Sequence, residues 1–307
     1  MQKKKNPFIE VRKYWMVYLM ILPAFVLTLI FQYIPIGGLA TAFKDFNVFR
    51  GFWASPWAGQ FGFANILSIL SNKPLLESIS NTVLLSVLNI AISFPAPIIL
   101  ALMINELRAG PFKKSVQTIS YLPHFLSWIT VIGLIKVLFS LYGPVNDIAV
   151  ALAGEGRERT LFLTNQGFHL PMLLLGNLWK TVGFNSIIFI SALSGIDPQL
   201  YEAAKIDGAS RWRQTLHVTI PGISITIVLL LILNIGTIMN SNFEFVFGMQ
   251  NPFITFETVD TIIYKYGLMG RNYSVGTALG LVRGLIALLL TLGANWMSKK
   301  INQISLI

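Results

Sequence analysis

The chain has 307 residues, of which 54% are hydrophobic and only 12% charged, with a formal net charge of +10 and no cysteine. A mean hydropathy of +0.66 excludes an ordinary soluble domain, in which about a quarter of residues are charged. The lack of cysteine excludes disulfide staples, thiolate catalysis and cysteine-ligated metals. The excess positive charge sits beside apolar runs, the pattern of membrane orientation and not of nucleic-acid binding.

Residues 1–14 read as a basic tail. Lys3, Lys4 and Lys5 precede an apolar run longer than a signal-peptide core, with no small-residue cleavage site behind it. Runs long enough for a membrane helix of about 20 residues fall at 15–36, 80–104, 118–140, 170–193, 222–239 and 277–297, the fifth being the shortest. The expectation is an all-α membrane protein with one six-span domain over 15–298, a polar loop over 194–221 and a short tail over 299–307.

Six spans place both termini on one side. With the N-terminus inside, the inner segments hold Lys3, Lys4, Lys5, Arg12, Lys13, Arg108, Lys113, Lys114, Lys205, Arg211, Arg213, Lys299 and Lys300, which is 13 cations. The outer segments hold Lys44, Arg50, Lys73, Arg157, Arg159, Lys265 and Arg271, which is 7. The positive-inside rule therefore predicts a multi-pass protein of the cytoplasmic membrane with both termini and the 194–221 loop in the cytoplasm. Of the outer loops, 37–79 is rich in Phe, Trp and Gly, and is expected to lie partly along the membrane interface. The loops at 141–169 and 240–276 are polar enough to meet an external partner, or they cover the top of the bundle.

Several chemistries are missing. His124, His169 and His217 are scattered, which argues against a metal site. There is no Gly-x-x-x-x-Gly-Lys-Ser/Thr phosphate loop and no Gly-x-Ser-x-Gly elbow. Energy for any active transport by this chain would have to enter from another subunit.

Charged residues inside spans mark a pathway or a pair, because burying a charge in lipid is costly. Lys136 lies near the end of its span, where its stem can snorkel to the interface. Lys180 is about ten residues into its span, near the midplane at 1.5 Å per residue, and Arg283 is similarly deep. No Asp or Glu lies inside any predicted span. Two readings follow: a water-filled cavity that receives an anionic or hydroxyl-rich solute, or hydrogen bonds to carbonyls or to an acid on a partner subunit. Asn177, Lys180, Thr181 and Phe184 share one helical face by their i, i+3, i+4, i+7 spacing, as do Asn234, Thr237 and Ser241. Amides bond sugar hydroxyls in pairs and a ring stacks on their C–H faces, so these faces are candidate solute contacts. The alternative is interhelical glue. Trp128 and Trp179 read as packing or belt residues. Gly276, Gly280 and Gly284 form a stripe for close helix packing, and Pro23, Pro95, Pro97 and Pro123 suggest bends.

The longest polar break in the second half is Tyr201-Glu202-Ala203-Ala204-Lys205-Ile206-Asp207-Gly208-Ala209-Ser210-Arg211-Trp212-Arg213, running on to Val218-Thr219-Ile220-Pro221. It reads as a short amphipathic helix, a glycine turn, a basic piece, and a proline opening the next span. This stretch resembles the EAA motif of binding-protein-dependent ABC importer permeases. Its wording Tyr-Glu-Ala-Ala-x-Ile-Asp-Gly-Ala-Ser-x-Trp is similar to the carbohydrate, maltose-type branch. Tyr121-Leu122-Pro123-His124-Phe125-Leu126-Ser127-Trp128 and Val259-Asp260-Thr261-Ile262-Ile263-Tyr264-Lys265-Tyr266-Gly267-Leu268 resemble the polysaccharide-type subgroup, the first of its two permeases.

The resemblance implies a type I importer permease fold, a second homologous permease, and two ATPase subunits that hold the ATP and Mg. It also implies an extracytoplasmic solute-binding protein, an oligosaccharide ligand and no cofactor on this chain. Tyr201, Glu202, Ala203, Ala204, Asp207, Gly208 and Pro221 would form the coupling helix and its turn against the ATPase. The solute path would take Asn177, Lys180, Thr181, Phe184, Asn234, Thr237, Ser241 and Arg283. The two deep cations suggest an acidic, uronate-containing sugar.

Overall fold

A computed structural model describes residues 13–154 and 157–302. Lys3, Lys4, Lys5 and Arg12, with most of the predicted tails, lie outside the described residues. Among the described residues the fold is helical, and the sole strand-like pairing is one isolated bridge between Lys44 and Trp57.

Four helices are long and apolar enough to cross a membrane, at Trp15–Phe43, Lys73–Glu106, Gln166–Ser194 and Tyr273–Lys300, and two further spans are broken. The predicted six is reached, but only by counting each broken pair as one span. Helix α1 (Trp15–Thr28) continues through a wide turn at Leu29–Tyr33 into a tight 3-10 stretch at Ile34–Phe43. A short helix α2 (Ala64–Ser71) follows the aromatic loop. Helices α3 (Lys73–Ser93) and α4 (Pro95–Glu106) make the second span.

The third span, expected as one helix over 118–140, is two: α5 (Pro111–Tyr121) and α6 (Trp128–Leu138), bent by 101°. The cause is local. Pro123 supplies no N–H to the ladder, Leu126 is extended, and the Ser127 hydroxyl accepts from the Thr130 N–H at 3.2 Å to begin a new helix. Lys136 is exposed in the last turn of α6, as snorkelling requires.

After α7 (Pro144–Ala153) comes the central helix α8 (Gln166–Ser194), capped by Asn165, whose side chain accepts from the Gly167 N–H at 2.8 Å. It packs on α3, α4 and α5. Gly183 makes the last contact possible, because a Cβ there would run into the carbonyl of Ser120. In lipid no water is expelled when helices meet, so such close packing and hydrogen bonds hold the bundle.

The 194–221 region contains α9 (Pro198–Ile206) and α10 (Arg211–Gln214), and turns by 60° into α11 (Ser224–Gly236). Pro221 lies at this turn. Residues 240–276 then fold back into the protein. Helix α12 (Phe243–Met249) contributes Phe245, Val246 and Met249 to the main core cluster with Val131, Ile135 and Leu173. Helix α13 (Val259–Ile262) and the wide turn Ile263–Met269 pack on α14 (Tyr273–Asn302). Much of this expected polar loop is therefore core. The glycine stripe is used unevenly. Gly276 and Gly267 meet backbone to backbone, a Cβ on Gly280 would meet Ile263 at an ordinary 3.8 Å, and Gly284 faces open space.

Candidate functional site

Helices α3, α4, α8 and α11 enclose a cavity of about 360 Å³ into which Asn89, Asn177, Asn185 and Asn234 converge, with Ser93 and Thr181 beside them. It continues into a smaller chamber of about 150 Å³, lined by Ser86, Thr237, Asn240, Ser241 and Asn242 and sharing Asn89, Asn177 and Asn234. Asn177 donates to the Asn89 Oδ1 at 3.1 Å. Asn234 donates to its own helix at Leu230 O, 2.9 Å away, and the Thr181 hydroxyl bonds Asn177 O at 2.8 Å. Asn177 and Asn89 thus bond one another at membrane depth, and an amide, with two donors and two lone pairs, has further hydrogen-bonding capacity beyond one such bond.

The sequence-predicted path residues separate into two groups. Asn177, Thr181, Asn234, Thr237 and Ser241 line the groove. Lys180, Phe184 and Arg283 do not. Lys180 is 6% exposed, donates to the carbonyl of His124 at 2.6 Å and lies 5.0 Å from the Trp128 ring centroid. Phe184 stacks flat on the His124 ring, with centroids 3.8 Å apart and planes at 3°. Both side chains thus hold the α5–α6 bend, where a broken helix leaves a carbonyl free. At about 100° per residue the four predicted residues do occupy one sector of α8, and packing divides it: Asn177 and Thr181, with Asn185 beyond them, border the groove, while Lys180 and Phe184 border the bend.

Arg283 is not left without an acid in this chain. It pairs with Asp260 of α13, and its second nitrogen donates to Asn240 Oδ1 at 3.0 Å. Asp260 lies outside every apolar run, and the inward fold of 240–276 carries it to the last span. Its other oxygen accepts from the Ser241 hydroxyl at 2.7 Å and the Ser241 N–H at 3.1 Å. A cation in an open cavity, the first reading from sequence, gives way to a satisfied ion pair behind the groove wall. The residues that sequence reasoning missed are Asn89, Asn185, Asn240 and Asn242. Asn185 was within reach, since it extends the Asn177 stripe by one more turn after Thr181.

At the other end, α9 stands away from the bundle. Asp197 caps it by accepting from the Gln199 N–H at 2.9 Å. Gly208 takes φ +76°, a left-handed turn that other residues resist. Ser210 caps α10 through the Arg213 N–H. Glu202, Ala203, Lys205 and Asp207 are exposed, Tyr201 and Ala204 are half-buried, and Ile206 is 87% exposed. Two contacts fasten the loop: the Tyr201 hydroxyl to the Thr219 hydroxyl at 3.0 Å, and Arg211 to Glu106 at 3.1 Å. Ile206 thus stands exposed beside the small Ala203 and Ala204 on this short helix.

Residues 81–303 match the family described as binding-protein-dependent transport system inner membrane component. The chain belongs to this family. It is 38% identical over 95% of its length to protein LplB of Bacillus subtilis, covering 91% of that protein. It is 39% identical over 98% of its length to the polygalacturonan/rhamnogalacturonan transport system permease protein YteP of the same organism, covering 93%. Among solved structures it is similar to a chain of a bacterial ABC transporter that imports the acidic polysaccharide alginate, with a TM-score of 0.87, 37% identity and coverage of 96% and 99% of the two chains. A second alginate transporter structure, in complex with an alginate pentasaccharide-bound periplasmic protein, gives a TM-score of 0.88 at 36% identity over 97% and 99%. The chain is thus a multi-pass ABC importer permease of the carbohydrate branch with the type I fold, a transport subunit and not an enzyme.

Proposed function

We propose that this permease moves an oligosaccharide, with acidic glycans the favoured class, through the amide-lined groove of α3, α4, α8 and α11. The convergence of four asparagines in one cavity carries the reading, because paired amide donors and acceptors suit a hydroxyl-rich solute. The acidic preference is supported by relatives that transport polygalacturonan, rhamnogalacturonan and alginate, and not by Lys180 or Arg283, which are held by a carbonyl and by Asp260.

In this account the termini and α9 face the cytoplasm, and residues 15–298 act as one permease domain between short tails. Two ATPase subunits carry ATP and Mg, and one of them receives Tyr201, Glu202, Ala203, Ala204 and Asp207. Gly208 makes the turn, and Pro221 sets the angle at which the loop pushes on α11. A solute-binding protein delivers the sugar to the opposite face. A second permease supplies the other half of the path. The first span favours that partner, because none of the residues in its most apolar window is buried within this chain. ATP-driven closure of the ATPases would rock the spans and switch the groove between the two sides.

In the importer reconstituted into vesicles, Asn177→Leu and Asn234→Leu are each expected to cut sugar uptake by about tenfold or more, on the order of 1.4 kcal/mol, with the ATPase still bound. Unchanged uptake in both would reject the groove as the path. Gly208→Val, which forces a branched side chain into a left-handed turn at about 1–2 kcal/mol, is expected to weaken retention of the ATPase on copurification. Full retention would count against α9 as the docking helix.

A further inference from the structure

The groove, in which amides and hydroxyls alternate with apolar side chains such as Ile90, Phe94 and Phe189, carries no charged side chain among its lining residues, although one cation of α8 and one of α14 lie close to it. Lys180 is turned to the α5–α6 bend and held by a carbonyl. Arg283 is close to the groove in a different way. Its Nη2 bonds Asn240, which lines the smaller chamber, while Nη1 is held by Asp260. Asp260 bonds Ser241, the next residue of the same wall, through both hydroxyl and N–H, and Ser241 also reaches the Thr258 hydroxyl at 2.9 Å. The side chains of Arg283 and Asp260 are 27% and 18% exposed. A unit charge left unpaired one hydrogen bond behind this wall would project into the chamber, since it lies well within a Debye length of the lining residues.

We propose that Asp260 is the charge screen of the path: by holding Arg283 it keeps this chain's half of the groove neutral, so that the groove reads hydroxyls and leaves the charge of a sugar unread. The inference rests on the groove being the solute path. Its physical sense is that a conducting path must bind weakly at many points, and a bare guanidinium would hold a uronate carboxylate bidentately and stop it. Asp260 is thus a positioning residue that sets specificity through Arg283.

The absence of cysteine from the chain allows the local potential to be measured without knowing the sugar. Thr237→Cys places one thiol on the chamber wall, in the assembled importer whose other subunits are made cysteine-free. The rates of modification by the anionic sulfonatoethyl and the cationic trimethylammonioethyl methanethiosulfonates are compared, and their ratio cancels the thiolate fraction. Adding Asp260→Asn is expected to raise the anionic-to-cationic ratio by about tenfold or more, since an unpaired unit charge acts on the two reagents with opposite sign. Adding Arg283→Gln instead is expected to lower it, and the double change Asp260→Asn/Arg283→Gln to return it to the starting value.

This reversal and return would not come from a merely structural role. It also does not rely on Asp260→Asn folding well, because Arg283→Gln tests the same pair from the other side. An unchanged ratio in the folded variants, a shift of the same sign in both single changes, or a thiol unreactive to both reagents overturns the proposal. Uptake that survives full modification of Thr237→Cys instead removes the groove as the path, which is a separate result.

Discussion

Two faces of α8 carry opposite duties. One presents Asn177, Thr181 and Asn185 to the groove. The other presents Lys180, Gly183 and Phe184 to the bend between α5 and α6, where a carbonyl, a backbone approach and an imidazole ring receive them. The difference teaches that polarity at membrane depth does not by itself mark a path. A cation can be buried and held by a carbonyl in a span, while uncharged amides line the neighbouring groove. In the proposed path the groove face exchanges partners with a solute, while the bend face keeps the ones it has.

The comparison is sharpened most strongly at Gly183. Gly183→Ala is expected to cost about 3 kcal/mol or more, because the new Cβ meets main chain that cannot step aside. A thermal melt of the purified protein checks it, and an unshifted melt would remove the close approach of α8 to α5. Lys180→Met comes next. It leaves the His124 carbonyl without its donor at about 1–2 kcal/mol, and uptake of acidic and neutral oligosaccharides should fall by the same factor. A loss confined to acidic sugars would return Lys180 to the path. The smallest effect on stability belongs to the groove face. There Asn177→Leu forfeits one amide bond to Asn89 at 3.1 Å, worth about 1 kcal/mol or less in a membrane, while transport suffers.

Much of this is legible in the sequence. The six apolar runs fall on the four long helices and the two broken pairs, and Tyr201 to Gly208 reads as the short helix and glycine turn that the structure has. What escaped has physical causes. Hydropathy averages along the chain and cannot register a bend, so 118–140 read as one span, although Pro123 and the Ser127 cap stood there as signals. Asp260 lies outside every apolar run and reaches Arg283 by the inward fold of a segment too polar to count as a span. The grouping of Lys180 with Asn177 shows the limit of a four-residue spacing rule, which gathers a broad face where the packing divides it in two.

The most direct measurement is a structure of the assembled importer trapped with its oligosaccharide. The account predicts sugar density between α3, α8 and α11, with hydroxyls in hydrogen-bond distance of Asn177 and Asn234 and with Arg283 still paired to Asp260. Density lying instead against Lys180, or a sugar carboxylate in the place of Asp260 on Arg283, would contradict it.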